Sequence, residues 1–492
     1  MIHTPHVDWL SISPELSLLG AAGVLLLGAV IVPRGARRGF SAFVGAIGFA
    51  TAFGFAVELY LASADGGPVI VDALFRDRFG ALAQVIVCGA GLLAVGVSWS
   101  ERLRDEHVGE YYALLAAAGA GMAFFVTAGN LMTLFLSLEW FSISLYILCA
   151  IEIDLEGSLE AGLKYLIVGS FGSAVLLFGS ALVYGATGQL SFHGIAEATA
   201  GQGLSDDFML LIGLAMILAG FAFKASAAPF HMWTPDAYEG APSSVTAFMA
   251  AATKVAALVL LLRLVVTAFP QEEHLWSWAL AAIATASLAI GNVAALFQRG
   301  VKRMLAYSSV SHSGFMLIAI ASANELGARA LLYYLIPYGA MSVGAFAVVA
   351  ARERELRQPV TVANLSGFLW ERPFLGFSMV VFMLGFAGLP PTGGFVGKFY
   401  AFAAAYRHGW IWLVIVGVVA TAVSLVYYLG VIRAMFARPA GVGSLVPVGG
   451  APPRDAVLHV TVAACLAVTV GTFFAVQPLI GVAKTAASAL PF

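Results

Sequence analysis

The sequence predicts an all-α polytopic membrane protein with about 14 transmembrane helices. Of its 492 residues, 61% are hydrophobic and 11% are charged, whereas a soluble domain is usually about half apolar and a quarter charged. Apolar runs of roughly twenty residues, long enough to cross a bilayer, recur along the whole chain. The connections between these runs are too short to form a soluble domain, which excludes extramembrane catalysis.

The predicted spans divide into four regions. The apolar runs lie near residues 15–33, 40–62, 79–98, 111–128, 130–151, 159–185, 207–229, 242–267, 275–297, 302–322, 328–350, 373–403, 409–436 and 455–480. The regions are 1–110, an N-terminal three-helix addition; 111–267 and 268–437, two antiporter-like repeats; and 438–492, a C-terminal loop and last helix. The composition of 437–454 is typical of a flexible surface loop.

The distribution of positive charge orients the chain. Of the 25 Lys and Arg residues, fifteen lie in loops that follow odd-numbered spans and four in loops that follow even-numbered spans. Because cytoplasmic loops are enriched in Lys and Arg, we expect both termini on the non-cytoplasmic side. The N-terminal MIHTPHVDWL has no basic segment, so no cleaved signal peptide is expected. The net charge of −2 gives no indication of nucleic-acid binding.

The stretch FAFKASAAPFHMWTPDAYEGAP, residues 221–242, predicts a broken seventh span. It places Lys224 directly after an apolar run, and Pro229 follows five residues later. Proline removes a backbone donor and clashes with the preceding turn, so the helix is expected to break there. Non-helical backbone at membrane depth needs protein or water around it, and such a break beside a titratable group commonly forms an ion site.

A second break is predicted in the twelfth span, where GFAGLPPTGGFVGKFY contains Pro390, Pro391 and Lys398. The two broken spans are five apart, an odd offset that makes them antiparallel. Inverted repeats with this relation are common in transporters. We therefore predict two inverted five-helix repeats, made of spans 4–8 and spans 9–13.

Four of the six lysines lie within predicted spans, and they are Lys164, Lys224, Lys254 and Lys398. Each charged lysine at the bilayer centre costs roughly 2.5–3.5 kcal/mol. A desolvated lysine can gain or lose a proton near neutral pH, whereas arginine stays charged. This pattern indicates a proton pathway.

Glu139 lies in the middle of the fifth span, within LMTLFLSLEWFSISLYIL. A carboxylate near a lysine favours the charged form of the lysine, so Glu139 is a candidate modulator of Lys164 or Lys224. The alternative is a static buried ion pair that holds two helices in register. Such a pair would account for one lysine within the spans and leave the other three without an explanation.

Two histidines are candidate proton relays. His312 lies ten residues into the tenth span among four serines, and histidine titrates near neutral pH. The alternative is a hydrogen-bonded core histidine. His231 follows the Pro229 break, where it either passes protons or donates to freed carbonyls. Only these two come near the depth that haem ligands need, so a bound haem is disfavoured.

The sequence predicts no metal or cofactor site in this chain. Three cysteines fall singly in separate spans without metal-ligand spacing, and they are Cys88, Cys149 and Cys465. Free cysteines are often buried, so we interpret all three as packing residues.

Four separated stretches resemble the antiporter-like membrane subunits of bacterial NADH-quinone oxidoreductase, respiratory complex I. They are SLEAGLKYLIVGSFGSAVLLFGSALVYGATG, FKASAAPFHMWTPDAYEGAP, VKRMLAYSSVSHSGF and GFAGLPPTGGFVGKFYAF. The stretch TPDAYEGAPSS and the lysine at position 398, where some sister subunits have glutamate, favour the subunit N family. The likeness covers most of spans four to thirteen.

The resemblance implies proton-transfer roles for Glu139, Lys164, Lys224, Lys254, His312 and Lys398. In that family the glutamate pairs with Lys164 and tunes Lys224, and the remaining three residues continue a hydrated axis. The chain would then move protons from the cytoplasm to the outside as a non-redox subunit, coupled to quinone reduction in partner subunits.

The resemblance also implies the surroundings of the chain. FMN, iron–sulfur clusters and quinone would be bound by other subunits and not by this one. The partners would be sister antiporter-like subunits and small membrane subunits in the lipid bilayer of the bacterial plasma membrane.

Two other functions are alternatives. A cation/proton antiporter subunit, alone or in an antiporter complex, would need a cation site of carboxylates and carbonyls, and Glu139 is the one well-placed acid. A structural scaffold would use the buried charges only to hold helices together. Replacing Lys224 by Met would abolish transport in an antiporter or a proton pump and leave a scaffold unaffected.

Overall fold

The computed structural model describes residues 8–63, 66–101, 104, 106–437 and 455–492. Within these ranges the chain is a bundle of α-helices with one short β-hairpin. The predicted surface loop at 437–454 lies outside the described residues except for its first residue.

The N-terminal region contains three long helices, α1 (Ser13–Ile31), α2 (Arg34–Ala62) and α3 (Arg78–Ser98). A 3-10 turn, Trp9–Ile12, precedes α1. The strands β1 (Gly67–Val69) and β2 (Leu74–Arg76) pair antiparallel between α2 and α3. Asp77 then caps α3, because its carboxylate accepts a hydrogen bond of 2.7 Å from the backbone N of Gly80.

The next part of the bundle contains eight helices. They are α4 (Val108–Val126), α5 (Leu131–Cys149), α6 (Glu156–Thr187), α7 (Phe192–Gln202), α8 (Phe208–Lys224), α9 (Trp233–Gly240), α10 (Ser243–Phe248) and α11 (Lys254–Ala268). A π-helical turn, Met249–Thr253, joins α10 to α11. Such turns occur frequently at functional sites, and this one ends directly before Lys254.

The remaining helices complete the bundle. They are α12 (Glu273–Leu296), α13 (Val301–Ala321), α14 (Glu325–Leu356), α15 (Phe368–Glu371), α16 (Pro373–Ala387), α17 (Gly393–Arg407), α18 (Ile411–Phe436), α19 (Ala456–Phe474) and α20 (Val476–Ala487). Short 3-10 turns lie at Leu204–Asp206 and Ala363–Leu365. The predicted last span, 455–480, is divided, because Pro478 lies in the first turn of α20 and would clash with the end of α19.

Twelve helices of the described ranges are long and apolar enough to cross a membrane, and they match twelve of the predicted spans. The other two predicted spans, 207–229 and 373–403, are the broken ones. The first corresponds to α8, which has 17 residues, and the second to α16 and α17, which have 15 residues each.

Both predicted helix breaks are present. Helix α8 ends at Lys224, and the backbone does not return to a helix until Trp233. Helix α16 ends at Ala387, and α17 begins after the two prolines. Gly388 adopts a φ of +78°, and a Cβ there would lie 2.8 Å from the Lys398 side chain, so only glycine fits the second break.

The core lies around the helices that carry Lys254 and His312. The most apolar 18-residue segment of Ser243–Ala268 is completely buried, and the corresponding segments of α13 and α14 are 94% and 89% buried. The corresponding segments of α18 and α19 are only 33% buried, so most of their apolar surface is exposed. Helix α14 packs against α13, α16, α17, α19 and α3, and so holds the second broken span in place.

A buried ion pair fixes the N-terminal region to this core. The guanidinium of Arg263 on α11 donates to both carboxylate oxygens of Asp77, at 2.7 and 2.8 Å. Their side chains are 3% and 10% exposed. This two-pronged geometry compensates both charges in the low-dielectric interior.

Candidate functional site

Lys224 is the last residue of α8, and it is 2% exposed. Its Nζ donates a hydrogen bond of 2.7 Å to Oγ of Ser142 and lies 3.5 Å from the hydroxyl of Tyr165. The ring of Phe141 lies 4.5 Å from the same Nζ, within the range of a cation–π interaction. Among the described residues, no carboxylate lies within 4 Å of this lysine. The site therefore surrounds Lys224 with hydroxyls and aromatic faces.

Lys254 links the first break to the tenth span. It is fully buried, and its Nζ donates to the carbonyl of Ala225 at 2.9 Å and to Oγ of Ser313 at 2.5 Å. Ala225 follows Lys224 in the chain, and Ser313 follows His312. The break supplies this contact, because the carbonyls at a helix C-terminus have no partner within the helix.

His312 is 1% exposed and has a hydroxyl at each ring nitrogen. Nδ1 lies 2.8 Å from the hydroxyl of Tyr334, and Nε2 lies 3.2 Å from the hydroxyl of Tyr428. The rings of Phe315 and Phe386 pack against the imidazole, with centroids 6.0 and 5.3 Å away. The histidine can therefore accept a proton on one side and donate one on the other.

Lys398 lies at the second break and completes a buried row that also contains Lys224, Lys254 and His312. It is 3% exposed, and its Nζ donates to the carbonyl oxygens of Phe386 and Ala387 at 2.9 and 3.3 Å. The Phe315 ring, which also contacts His312, lies 4.3 Å from Nζ. Each break thus offers the carbonyl end of a helix to one buried lysine, Lys254 at the first and Lys398 at the second.

Lys164 lies outside this buried row. Its side chain is 45% exposed and forms ion pairs with Glu160 at 2.6 Å and Asp236 at 2.9 Å. Oε1 of Glu139 is buried without a hydrogen-bond partner in the described part of the chain. The implied pair of Glu139 with Lys164 is therefore not formed, because two other carboxylates lie against the lysine, one of them four residues earlier on the same helix.

Asp236 on α9 binds two cations at the bundle surface. Besides Lys164, it accepts a hydrogen bond of 2.6 Å from Arg303 on α13, and Arg303 also bonds Glu239 at 2.8 Å. Burial raises the pKa of Asp236, but the hydrogen bonds from Lys164 and Arg303 outweigh burial and hold this pKa below its usual value. Asp236 therefore stays ionised and joins α6, α9 and α13.

His231 does not contact the buried lysines. It lies in the first break and is partly exposed, and its ring faces Tyr307 at a centroid distance of 6.3 Å. Its Nδ1 is buried without a hydrogen-bond partner among the described residues.

The hydroxyl partners of the row were not predicted from the sequence. Ser142, Tyr165, Tyr334 and Tyr428 are neutral at ordinary pH and resemble the many other hydroxyl residues of the spans. Asp236 could have been found, because an acid between Pro235 and the next span is unusual in so apolar a segment.

No described cluster of three or more His, Cys, Asp or Glu side chains is arranged to hold a metal ion. The three cysteines are buried and free.

Comparison with known proteins identifies relatives over nearly the whole chain. Residues 128–424 match a family model described as NADH:quinone oxidoreductase/Mrp antiporter, TM. The NADH-quinone oxidoreductase subunit N of Trichlorobacter lovleyi is 42% identical over 431 residues, which cover 87% of each chain. The protein of the same name from Methylobacterium nodulans is 38% identical over 486 residues and covers 97% of each chain.

Solved structures share this architecture. A chain of respiratory complex I from Thermus thermophilus is 32% identical and superposes with a TM-score of 0.79, covering 95% of this chain and 98% of that one. A chain of the Mrp complex from Dietzia sp. is 22% identical, covers 98% of both chains and has a TM-score of 0.85, so it shares the fold.

Proposed function

This chain belongs to the subunit N family of NADH-quinone oxidoreductase, and from that premise we propose that it translocates protons through its buried row of lysines and histidine. The proposed row runs from Lys224 through Lys254 and His312 to Lys398. Quinone reduction in other subunits drives the transfer. Membership of complex I implies FMN, iron–sulfur clusters and quinone in those subunits.

The position of Lys254 carries this proposal. Its Nζ donates to the carbonyl of Ala225, which directly follows Lys224, and to the hydroxyl of Ser313, which directly follows His312. A lysine held between two other titratable groups can exchange protons with both when the hydrogen bonds rearrange. Glu139, half-buried on α5, modulates Lys224 by its charge, and Lys164 acts from the surface through Asp236.

The proposed direction of transport follows the charge of the loops. Asp236, on the helix α9 that follows the first break, bonds Arg303 on the side where most loop arginines lie, which the positive-inside rule makes cytoplasmic. Protons enter the row at Lys224 from that side and leave by Lys398 to the outside. Both termini then lie on the non-cytoplasmic side of the bacterial plasma membrane.

The proposed architecture is fourteen spans with two inverted five-helix repeats. Helices α6 and α14, the third of each proposed repeat, both have 32 residues, and a broken span follows each of them. Sister antiporter-like subunits and small membrane subunits cover part of the exposed apolar surface.

The test uses vesicles that contain the whole complex. Lys224→Met should lower proton uptake per NADH oxidised, because it removes the first carrier. Lys484→Met, which changes an exposed lysine of α20, should pump like the unmodified complex. Assembly is checked on native gels. An assembled Lys224→Met complex with unchanged proton uptake would refute the proposed function.

A cation/proton antiporter is the second candidate, and the fold shared with the Mrp subunit is the observation in its favour. A sodium gradient should then change proton uptake in the vesicles when NADH is absent. Uptake that depends only on NADH turnover would reject this candidate.

A further inference from the structure

A small polar pocket lies where helix α14 begins and helix α17 ends. It has a volume of about 230 Å³ and is lined by Asn324, Glu325, Leu326, Arg329 and Arg407. Asn324 joins the two helices, because its Nδ2 donates to the carbonyl of Ala404 on α17 at 3.2 Å. The pocket therefore lies at one end of the bundle, level with the ends of these helices.

Two arginines give the pocket a net positive charge. Arg329 forms an ion pair with Glu325, and its Nε is buried without a hydrogen-bond partner among the described residues. Arg407 is exposed and has no ion pair or hydrogen bond with any residue that the structure describes. The pocket thus holds two guanidinium groups and one carboxylate, which leaves one positive charge without a counter-charge.

Basic residues are rare at this end of the bundle. The loops that follow even-numbered spans contain four arginines, and they are Arg76, Arg78, Arg329 and Arg407. Arg76 is paired with Asp8 at 2.6 Å, and Arg78 donates to the carbonyl of Tyr60 at 3.2 Å. The other two line the pocket. This concentration of positive charge, on the side where Lys and Arg are scarce, favours a site for an anion.

Three tryptophans beside the pocket mark the level of the lipid headgroups. Trp410 follows Arg407 by three residues, and its ring centroid lies 5.1 Å from that of Trp278. Trp412 stacks on Trp278 at 5.9 Å, and these two rings are 38% and 47% exposed. Tryptophan is enriched at the interface between the hydrocarbon core and water, where the headgroups lie. The anions that surround Arg407 in a membrane are therefore headgroup phosphates.

The surface of α17 provides a path for an acyl chain. Phe395, Phe399 and Tyr406 are 37%, 60% and 65% exposed. Their spacing of four and seven residues places them on one face of the helix, and Tyr406 directly precedes Arg407. This apolar stripe runs from the pocket toward the second helix break. A free phosphate ion would use the pocket only, whereas a phospholipid would use the pocket and the stripe.

We propose that this pocket binds the phosphate of an anionic phospholipid, with Arg329 and Arg407 on the phosphate and an acyl chain along α17. Guanidinium groups suit phosphate, because their N–H donors match its oxygens. The uncompensated charge repels the quaternary ammonium of a choline headgroup, so an anionic headgroup is preferred to a zwitterionic one. This inference goes beyond the proposed function and does not depend on it.

The first test measures the quenching of tryptophan fluorescence. The full chain is placed in phosphatidylcholine vesicles that contain a small share of phosphatidylglycerol or phosphatidylcholine brominated on the acyl chains near the headgroup. Bromine quenches the tryptophans that it contacts, so the three tryptophans report a lipid bound at the pocket. Brominated phosphatidylglycerol should quench more than brominated phosphatidylcholine, and Arg407→Gln should remove this excess. No excess, or an excess that Arg407→Gln leaves unchanged, would overturn the inference.

Arg433→Gln is the matched control. Arg433 is likewise an exposed arginine in the last turn of a membrane-spanning helix, α18, and it lies outside the pocket. This variant should keep the excess quenching by phosphatidylglycerol. Equal melting temperatures of the two variants would show that both are folded. Loss of the excess in both variants would reduce the effect to a general attraction between charges and would contradict a site at Arg407.

Glu325→Gln should have the opposite effect. It removes the one carboxylate of the pocket and frees Arg329, so the excess quenching by phosphatidylglycerol should grow. A smaller excess in this variant would contradict the assignment of the phosphate to Arg329 and Arg407.

Inorganic phosphate distinguishes a lipid from a free ion. Added at constant ionic strength and at the same concentration as the lipid phosphate, it should leave the excess quenching unchanged, because it cannot use the stripe on α17. An excess that inorganic phosphate abolishes would assign the pocket to a free anion and overturn the lipid proposal. All these measurements report binding, so their outcome is separate from that of the proton-uptake test with Lys224→Met.

Discussion

The Nζ of Lys224 lies 2.7 Å from the hydroxyl of Ser142, which follows Glu139 by three residues on α5. Helix α5 thus carries both a hydroxyl that bonds the lysine, on Ser142, and a carboxylate one turn earlier, on Glu139. The hydroxyl bonds the lysine Nζ directly, whereas the proposed effect of the Glu139 carboxylate on the lysine acts through space.

Ser142→Ala tests the direct contact. A hydrogen bond to a charged group contributes roughly 1.5–3 kcal/mol, so the part of proton uptake that depends on Lys224 should slow by roughly ten- to a hundredfold. Proton uptake by vesicles is the measurement. Ser137→Ala is the control, because that hydroxyl bonds only backbone carbonyls of its own helix. Equal rates in the two variants would assign Ser142 to packing.

Glu139→Gln tests the action through space. The amide keeps the shape and removes the charge, so proton uptake should fall, since a charge in a low-dielectric site acts over several ångströms. Glu197→Gln is the control, because Glu197 is exposed on α7 and its charge is screened by ions in solution. Uptake that falls equally in both variants would contradict a specific role for Glu139.

Asp77→Asn should destabilise the protein by roughly 3–5 kcal/mol, because it leaves Arg263 buried without a counter-charge. Asparagine still caps a helix, so the cap of α3 is kept. Thermal unfolding in detergent measures the effect. Glu325→Gln, which breaks the partly exposed pair with Arg329, should cost about 1 kcal/mol or less.

A compensating change checks this explanation. Adding Arg263→Met to Asp77→Asn removes the uncompensated charge and should recover part of the lost stability. A double variant no more stable than Asp77→Asn would show that the cost does not come from the charge.

Glu152 makes stability depend on pH. It lies between α5 and α6, outside the spans, and burial together with the Glu101 carboxylate raises its pKa to about 7 from 4.5. The folded state therefore favours the protonated form, so this contribution to stability is complete below pH 4.5 and is lost as the pH rises through 7.

Glu152→Gln copies the protonated form. Its melting temperature should match that of the unmodified protein near pH 5 and exceed it near pH 8. The gain in stability at pH 8 should be roughly 1–3 kcal/mol. Glu197→Gln, at an exposed position on α7, should show no such difference. A gap for Glu152→Gln that is equally large at both pH values would contradict the protonation argument.

The two helix breaks were predictable from the sequence because proline acts on its own backbone. Pro229 and the pair Pro390 and Pro391 disrupt helices wherever they occur, and both breaks are present. The buried lysines were predictable for a similar reason, since an ionisable group in a long apolar run has few permitted surroundings. The division of the last span at Phe474 was missed because the segment is apolar on both sides of the break, and Pro478 lies beyond it, in the first turn of α20.

The contacts between helices were not predictable. Lys164 pairs with Asp236, which lies 72 residues later in the chain, and Arg303 reaches the same carboxylate from another helix. Only the fold decides which acid approaches which base, so Glu139 was assigned as a partner of Lys164. The two tyrosine hydroxyls that bond His312 were missed because tyrosine occurs throughout the spans.

The pair of Asp77 and Arg263 joins positions that are 186 residues apart. During synthesis the ribosome releases α3 well before α11, so the carboxylate is already in the membrane when the arginine arrives. An arginine buried in the bundle without a counter-charge is costly, because its charge loses the surrounding water. The N-terminal helices therefore act as a receptor for a later segment of the same nascent chain, and the order of translation becomes part of how the bundle is assembled.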